Sequence, residues 1–230
     1  MSKKIRYGAS ADAWDHFAYT AGWAERLLPV VADPSVPISP HSKLKAIGKT
    51  PSVINSNGHV TGIPRWTEKK TSPKEITRWR QDGRLSVCVR TGSLSEHESL
   101  AAIDIDVTDE ETAKAIAAWL EAKFGESLQW RTRSNTGKRL ALIRVPFGNF
   151  RKRVLRVADP GAESGRGVIE ILGEGQQCLL AGTHTSGVPY VWEGGWPTVV
   201  PLIDAPLWEE TWAGLVEEFG HGGGDPVLLY

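Results

Sequence analysis

The sequence predicts an α+β fold, and three observations carry that expectation. Stretches with the composition of β-strands follow one another with no helix between them, around 128–132 and 140–145 and again around 168–172, 178–181 and 188–192, whereas a doubly wound α/β chain would alternate the two. Helical periodicity is confined to a few separated segments. The chain has 230 residues, of which 40% are hydrophobic and 23% charged, enough for one large domain or two small lobes around a real core. No internal repeat of fixed period is visible.

Taken in order, residues 11–28 read as a helix: Trp14, Phe17, Ala18, Ala21 and Leu28 recur at helical spacing behind Ser10 as N-cap. Residues 29–65, rich in Pro, Gly, Ser and Asn, read as loops with short strands. Ser72-Pro73-Lys74-Glu75 is a capping box with proline at the first helical position, and Ile76 and Trp79 follow on one face. Leu85–Arg90 and Leu100–Asp106 read as strands. Thr108–Glu111 reads as a second capping box, opening a helix with Ala113, Ile116, Ala117, Leu120 and Phe124 inward. After the five strands named above, Asp204 before Pro206 starts a last helix with Trp208, Trp212, Leu215 and Phe219 on one side. Gly222, Gly223 and Gly224 suggest a linker. The apolar end, Val227 to Tyr230, is expected to dock on the body or to have been cut from a longer chain.

No apolar run approaches the ~20 residues of a membrane span. Met1–Ser10 is basic but lacks the apolar core of a signal peptide. Two cysteines cannot build a disulfide framework or a Cys-rich zinc site, and Cys88, between Val87 and Val89, reads as a buried small hydrophobe. A reduced, cytoplasmic setting is the expectation.

The formal net charge is +0, which argues against a generally basic nucleic-acid coat protein. That sum hides blocks of opposite sign. Residues 43–92 carry +8, 93–126 carry −7, 127–159 carry +8 and 160–230 carry −9. Chance and solvated helix faces are one reading of the alternation. The other is basic surfaces flanking an acidic centre, as suits an enzyme that binds polyphosphate through metal ions.

Ile103-Asp104-Ile105-Asp106 is the most informative stretch. In a strand, residues i and i+2 share a face roughly 7 Å apart. Asp104 and Asp106 therefore point one way while Ile103 and Ile105 point into the core. Carboxylates on a sheet face call for a positive partner, and oxygen ligands suit Mg²⁺ or Mn²⁺. Two solvent-facing acids on an edge strand are the alternative. Glu170, alone among apolar neighbours in Val168–Leu172, needs a partner too. It is either a third carboxylate of a metal site or the partner of an arginine such as Arg166. Three carboxylates on strands separated by a basic segment match two-metal nucleotidyl transfer.

That basic segment, Arg131 to Arg139, contains Ser134, Asn135, Gly137, Lys138 and Arg139. These supply hydroxyl, backbone N–H and cationic donors to phosphate; a basic surface hairpin with an Asn-Thr-Gly turn is the alternative. His184, in a Gly-Thr-His-Thr-Ser-Gly turn after the Glu170 strand, is the histidine with the best functional context, against a locally bonded turn histidine. Gly48-Lys49-Thr50 mimics the end of a P-loop, but position 43 is Lys43 rather than glycine, so an NTPase P-loop is excluded.

In order, these elements resemble the archaeo-eukaryotic primase superfamily, in particular the bifunctional primase–polymerase domain of plasmid and phage replication proteins. The resemblance runs from Ala24-Glu25-Arg26-Leu27-Leu28-Pro29 through Lys49-Thr50-Pro51, Gly62-Ile63-Pro64-Arg65-Trp66, Lys74–Arg80 and Val89-Arg90-Thr91-Gly92. Ala102–Asp106 is similar to the family's motif of two metal-binding aspartates, Gly167–Leu172 to its third motif, and Gly175–Trp192 to its closing turn and strand. Most of residues 15–195 are covered. The family's second motif usually reads S-G-G-x-H; here Ser134–Arg139 carries no histidine, and Lys138 or Arg139 stands in its place. The third acid is also Glu rather than Asp.

The resemblance implies a catalytic domain over 1–219. Within it would lie an N-terminal α/β part over 1–97, an RRM-like sheet over 98–200 and a closing helix over 201–219, followed by a tail over 220–230. It implies a DNA primase/polymerase in which Asp104, Asp106 and Glu170 hold Mg²⁺ or Mn²⁺ and Ser134, Asn135, Gly137, Lys138, Arg139 and His184 bind the nucleoside triphosphate. Basic residues in 65–90, Arg65, Lys69, Lys70, Arg78 and Arg84, would follow a single-stranded DNA template, with Trp66 either stacking on a base or packing in the core. A helicase domain beyond residue 230 is a further implied partner. A noncatalytic DNA-binding initiation module and a metal-dependent nuclease are the alternative readings.

Overall fold

In the computed structural model, which describes residues 5–220 and 227–228, the fold is α+β. In chain order it has helix α1 (Ala11–Asp15), strands β1 (Leu27–Val31), β2 (Ser52–Ile54) and β3 (Val60–Gly62), helix α2 (Pro73–Trp79), and strands β4 (Leu85–Arg90), β5 (Gly92–Ser95) and β6 (Glu98–Asp106). Helix α3 (Glu110–Phe124), strands β7 (Trp130–Arg133), β8 (Thr136–Val145), β9 (Arg153–Ala158), β10 (Arg166–Leu172), β11 (Gln177–Ala181) and β12 (Val191–Trp192), helix α4 (Ala205–Phe219) and strand β13 (Val227–Leu228) complete it. The chain divides into two units. One comprises residues 1–90 and 177–191, the other residues 91–176 and 192–230.

The first unit is built on an antiparallel sheet of order β1-β4-β11. Leu28 faces Cys88, and Cys88 faces Leu179, in one row; with Val30 they form a cluster against which Ile63, Trp66 and Tyr190 pack. Every residue of β1 is buried, so its apolar run reads continuously rather than alternating. Here the expected helix over 11–28 is corrected. Only Ala11–Asp15 is α-helical; a π-helical turn, His16–Thr20, follows, and Gly22 takes a left-handed φ of +77°. Beyond it, Leu27 and Leu28 belong to the sheet, where Pro29 is tolerated because β1 is an edge strand. The capping box at Ser72 forms as expected, with Ser72 Oγ accepting from Glu75 N and Glu75 Oε2 accepting from Ser72 N. It directs Ile76 and Trp79 inward, where the Trp79 ring meets Trp14 at 6.0 Å.

The second unit is a sheet of order β12-β7-β8-β6-β10-β9-β13, with β5 pairing the start of β6. Strand alternation sorts its residues. Ile103, Ile105, Ala141, Ile143, Ile169 and Ile171 lie in a core with α3 and α4. The five apolar residues expected to face inward on α3 are all buried there, as are Trp208, Trp212 and Leu215 of α4. The N-cap of α3 is Asp109, not Thr108: Asp109 Oδ1 accepts from Thr112 N at 2.8 Å, while the Thr108 backbone is engaged by Asp159 and Gly137. Strands β5 and β9 were not foreseen in the sequence, and the strand expected over 188–192 is confined to Val191–Trp192.

The sequence-based division also changes. By compact units the boundary falls after Arg90, and 177–191 groups with residues 1–90, although Val191 also begins β12 of the large sheet. Gly222, Gly223 and Gly224 lie outside the described residues, but Val227–Leu228 pairs with Arg153–Val154 of β9. Among the described residues no helix is long and apolar enough to cross a membrane.

Candidate active site

The face of the large sheet opposite α3 and α4 carries the acids. In the antiparallel register, Asp104 stands directly across from Glu170 on one side and Leu140 on the other, and Leu140 stands across from Arg131. Arg131, Leu140, Asp104 and Glu170 therefore form one row over four strands. Directly opposed side chains have Cβ atoms about 4.5–5.5 Å apart, so the Asp104 and Glu170 carboxylates are neighbours. Asp106 lies on the same face one row along, where Lys138 reaches it with an Nζ–Oδ1 distance of 2.5 Å. Lys152, just ahead of β9, holds Glu170 with an Nζ–Oε1 distance of 2.6 Å.

Burial dominates the electrostatics of Asp104 and pushes its carboxyl up to about 6. Arg131 and Lys138 act against that shift, and the charges of Asp106 and Glu170 add to it. The three acids thus share one field. Among the described residues, however, no three His, Cys, Asp or Glu side chains are gathered closely enough to hold a metal ion; Asp106 and Glu170 are turned to their lysines. Glu170's ion-pair partner is Lys152, where the sequence had suggested Arg166.

The basic segment is a β-hairpin, β7–β8, with Ser134 and Asn135 exposed at its turn. Its residues separate by face. Lys138 lies with the acids. Arg139 stands opposite Ile105 on the helix side, 7% exposed and within electrostatic range of Glu110 at the start of α3. Gly137 is not on an open loop: its N donates to Thr108 O at 2.9 Å, and the backbone of Asp109 and Glu110 packs over it. Of the six residues expected to bind triphosphate, then, Lys138 is the one the strand brings to the carboxylates. Period-2 alternation sends Arg139 to the other side, and a close backbone contact accounts for Gly137.

His184 and the expected template residues belong to the first unit. His184 sits in a tight turn. Its Nδ1 accepts from Ser186 N at 3.1 Å and lies 2.8 Å from Ser186 Oγ, and its ring stands edge-on to Tyr190. Lys69 pairs with Glu75 at 2.8 Å, Lys70 with Glu25 at 3.8 Å, and Arg84 with Asp82 at 2.7 Å. Arg78 is exposed on α2, and Arg65 and Trp66 line a cleft beside β3. Lys152 was missed because the strand after it was missed; without β9 it has no place beside Glu170. Arg131 was seen as part of a basic loop but not as a member of the acids' row.

Comparison with protein-family models finds no match for this chain, and comparison with curated proteins finds none either.

Proposed function

We propose that the chain is a template-directed nucleotidyltransferase of the primase–polymerase type. The observation that carries the reading is the register of β6 with β10, which sets Asp104 against Glu170 with Asp106 on the same face. Oxygen donors sharing one field on a strand-fixed face suit a hard divalent cation, Mg²⁺ or Mn²⁺, once the two lysine pairs open. Asp104, Asp106 and Glu170 are the residues that would hold it. A metal ion held by these residues would supply charge neutralisation for a nucleoside triphosphate and acidity for an attacking hydroxyl.

The chain's own side chains do the remaining work. Lys138 is a cation already held at the acids, and a phosphate can exchange for Asp106 as its partner. Lys152 holds Glu170 in place until the site is loaded. Arg131, in the row of Asp104 and Glu170, adds positive charge beside Asp104. Substrates on this reading are a single-stranded DNA template and nucleoside triphosphates, and the setting is the replication of plasmid or phage DNA.

The test is primer synthesis and extension on a single-stranded template with Mg²⁺ or Mn²⁺. Wild-type protein incorporates nucleotide, and the Asp104→Asn/Asp106→Asn variant loses at least about a hundredfold, the scale on which preorganised charge stabilisation matters. Unchanged synthesis by that variant removes the proposal.

A second reading is favoured by a specific observation: Lys138 and Lys152 already neutralise Asp106 and Glu170. On that reading the chain binds DNA without catalysis. Salt-dependent binding with no incorporation under either metal would establish it, whereas degradation of a labelled strand without triphosphates would identify a nuclease.

A further inference from the structure

The basic block 43–92 holds eleven Lys and Arg side chains, and the structure shows how they are spent. Lys69, Lys70, Arg80 and Arg84 each have a carboxylate partner, and Arg90 donates to Thr67 O at 2.7 Å. Six cations remain with neither an ion pair nor a side-chain hydrogen bond among the described residues. Four of these six, Lys43, Lys45, Lys49 and Arg65, line a single cleft of about 740 Å³ in the first unit. His41 and Trp66 line it too, and among the described residues no carboxylate does. A wall of exposed cations with no counter-charge repels itself, and an anionic ligand relieves that repulsion.

The cleft is built, not fortuitous. Its loop is tied down by Gly48 N donating to Val31 O at 2.9 Å and by Gln177 Nε2 donating to Lys49 O at 2.7 Å. Ser42 Oγ accepts from Leu44 N and Gly62 N, joining the loop to β3. Trp66 is anchored on the Leu28, Val30, Cys88 and Leu179 cluster. Arg65 adopts a left-handed φ of +46°, a conformation that non-glycine residues seldom take and that concentrates at ligand-binding positions.

We infer that this cleft binds the phosphodiester backbone of a single-stranded nucleic acid, with Lys43, Lys45, Lys49 and Arg65 on successive phosphates and a base against Trp66. Several cations beside one aromatic face form the combination that tracks a strand without reading its sequence. The main contacts thus shift from the basic residues around α2, of which Lys69, Lys70 and Arg84 are already paired, to the 41–50 loop. The inference rests on the single-strand partner of the proposed function but not on its chemistry.

The experiment is fluorescence anisotropy with a labelled oligothymidylate over a salt series, using the full chain. The Lys43→Gln/Lys45→Gln/Lys49→Gln variant should bind at least about tenfold more weakly, and its log–log salt slope should shrink by about 2, since each phosphate contact on a single strand contributes about 0.7. Arg65→Gly should keep the thermal midpoint, because glycine accepts the left-handed backbone, and still weaken binding. Wild-type affinity and slope in the folded triple variant would overturn the inference, as would displacement of the oligonucleotide by an equal phosphate concentration of inorganic tripolyphosphate. Cleft-dependent binding without incorporation sinks the polymerase reading alone; incorporation with binding untouched in the triple variant sinks the cleft alone.

Discussion

Gly137 shows how a single residue changes meaning between sequence and structure. In Ser134-Asn135-Thr136-Gly137-Lys138 a glycine reads as the flexible point of a phosphate-binding loop. In the fold it is a strand residue pressed against the entry to α3, and a Cβ there would lie 2.6 Å from Asp109 O. Backbone cannot yield as a side-chain tip can. Gly137→Ala should therefore cost about 1–3 kcal/mol of stability, the usual scale for overpacking, read as a lower denaturation midpoint in urea. A variant as stable as wild type would return Gly137 to the role of a loop glycine. By contrast, Asp104, Asp106 and Glu170 were legible because alternation along a strand converts spacing into a shared face. Arg139 was not, because its place in the alternation depends on where β8 begins, and a basic polar stretch hides that start.

Among the elements, α3 depends on a residue fifty positions away. Asp159 is buried; its Oδ2 accepts from Thr108 N at 2.7 Å, and its Oδ1 accepts from Asp109 N at 3.0 Å and from Gly161 N at 3.1 Å. Burial works to raise its pKa, but the donors at Thr108, Asp109 and Gly161 outweigh it and hold the carboxyl below its usual value. A depressed pKa means stability that is present above the unfolded-state value of about 3.9 and is lost as pH falls through the folded value. Acid titration of the unfolding free energy should show a loss below about pH 4, diminished in Asp159→Asn, which should also be about 1–3 kcal/mol less stable at neutral pH because an amide cannot accept all three bonds. Equal acid slopes in the two proteins would show that Asp159 is not the group responsible. The helix itself was readable from Ala113 to Phe124, since five inward residues at helical spacing leave little choice. Its cap was misread by one residue because Thr108-Asp109 offers two capping side chains in succession, and only the distant Asp159 decides between them. Strand β9 went unread for a similar reason: Arg153-Val154-Leu155-Arg156-Val157 alternates weakly, and its pairing with β10 is what fixes it.

At the scale of the whole molecule, the chain leaves the first unit after Arg90, returns to it for 177–191 and leaves again. A sequence suggests contiguous parts, and neighbouring strands in sequence are commonly neighbours in space; β10 and β11 break that habit by lying in different sheets. The consequence is that residues 1–97 do not form a complete body. Without Gln177–Ala181, β4 loses the partner that faces Val87, Cys88 and Val89 and is left with an apolar open edge. The 1–97 fragment should aggregate, whereas 1–90 linked to 177–191 should be soluble and monomeric by size-exclusion chromatography. A well-behaved 1–97 fragment would refute this division.

The register of β6 and β10 has one more effect, on the fidelity of folding. If β6 slipped by a single residue, Asp104 and Asp106 would turn toward α3 and α4, and Ile103 and Ile105 toward the opposite side. Asp106 would then lack Lys138 and Asp104 the positive charge of Arg131, and burying the two carboxylates uncompensated would cost several kcal/mol. A misregistered sheet is thus much less stable than the native one at its central strand. Whatever Asp104 and Asp106 do to a substrate, they also reject the wrong β-pairing before any substrate arrives.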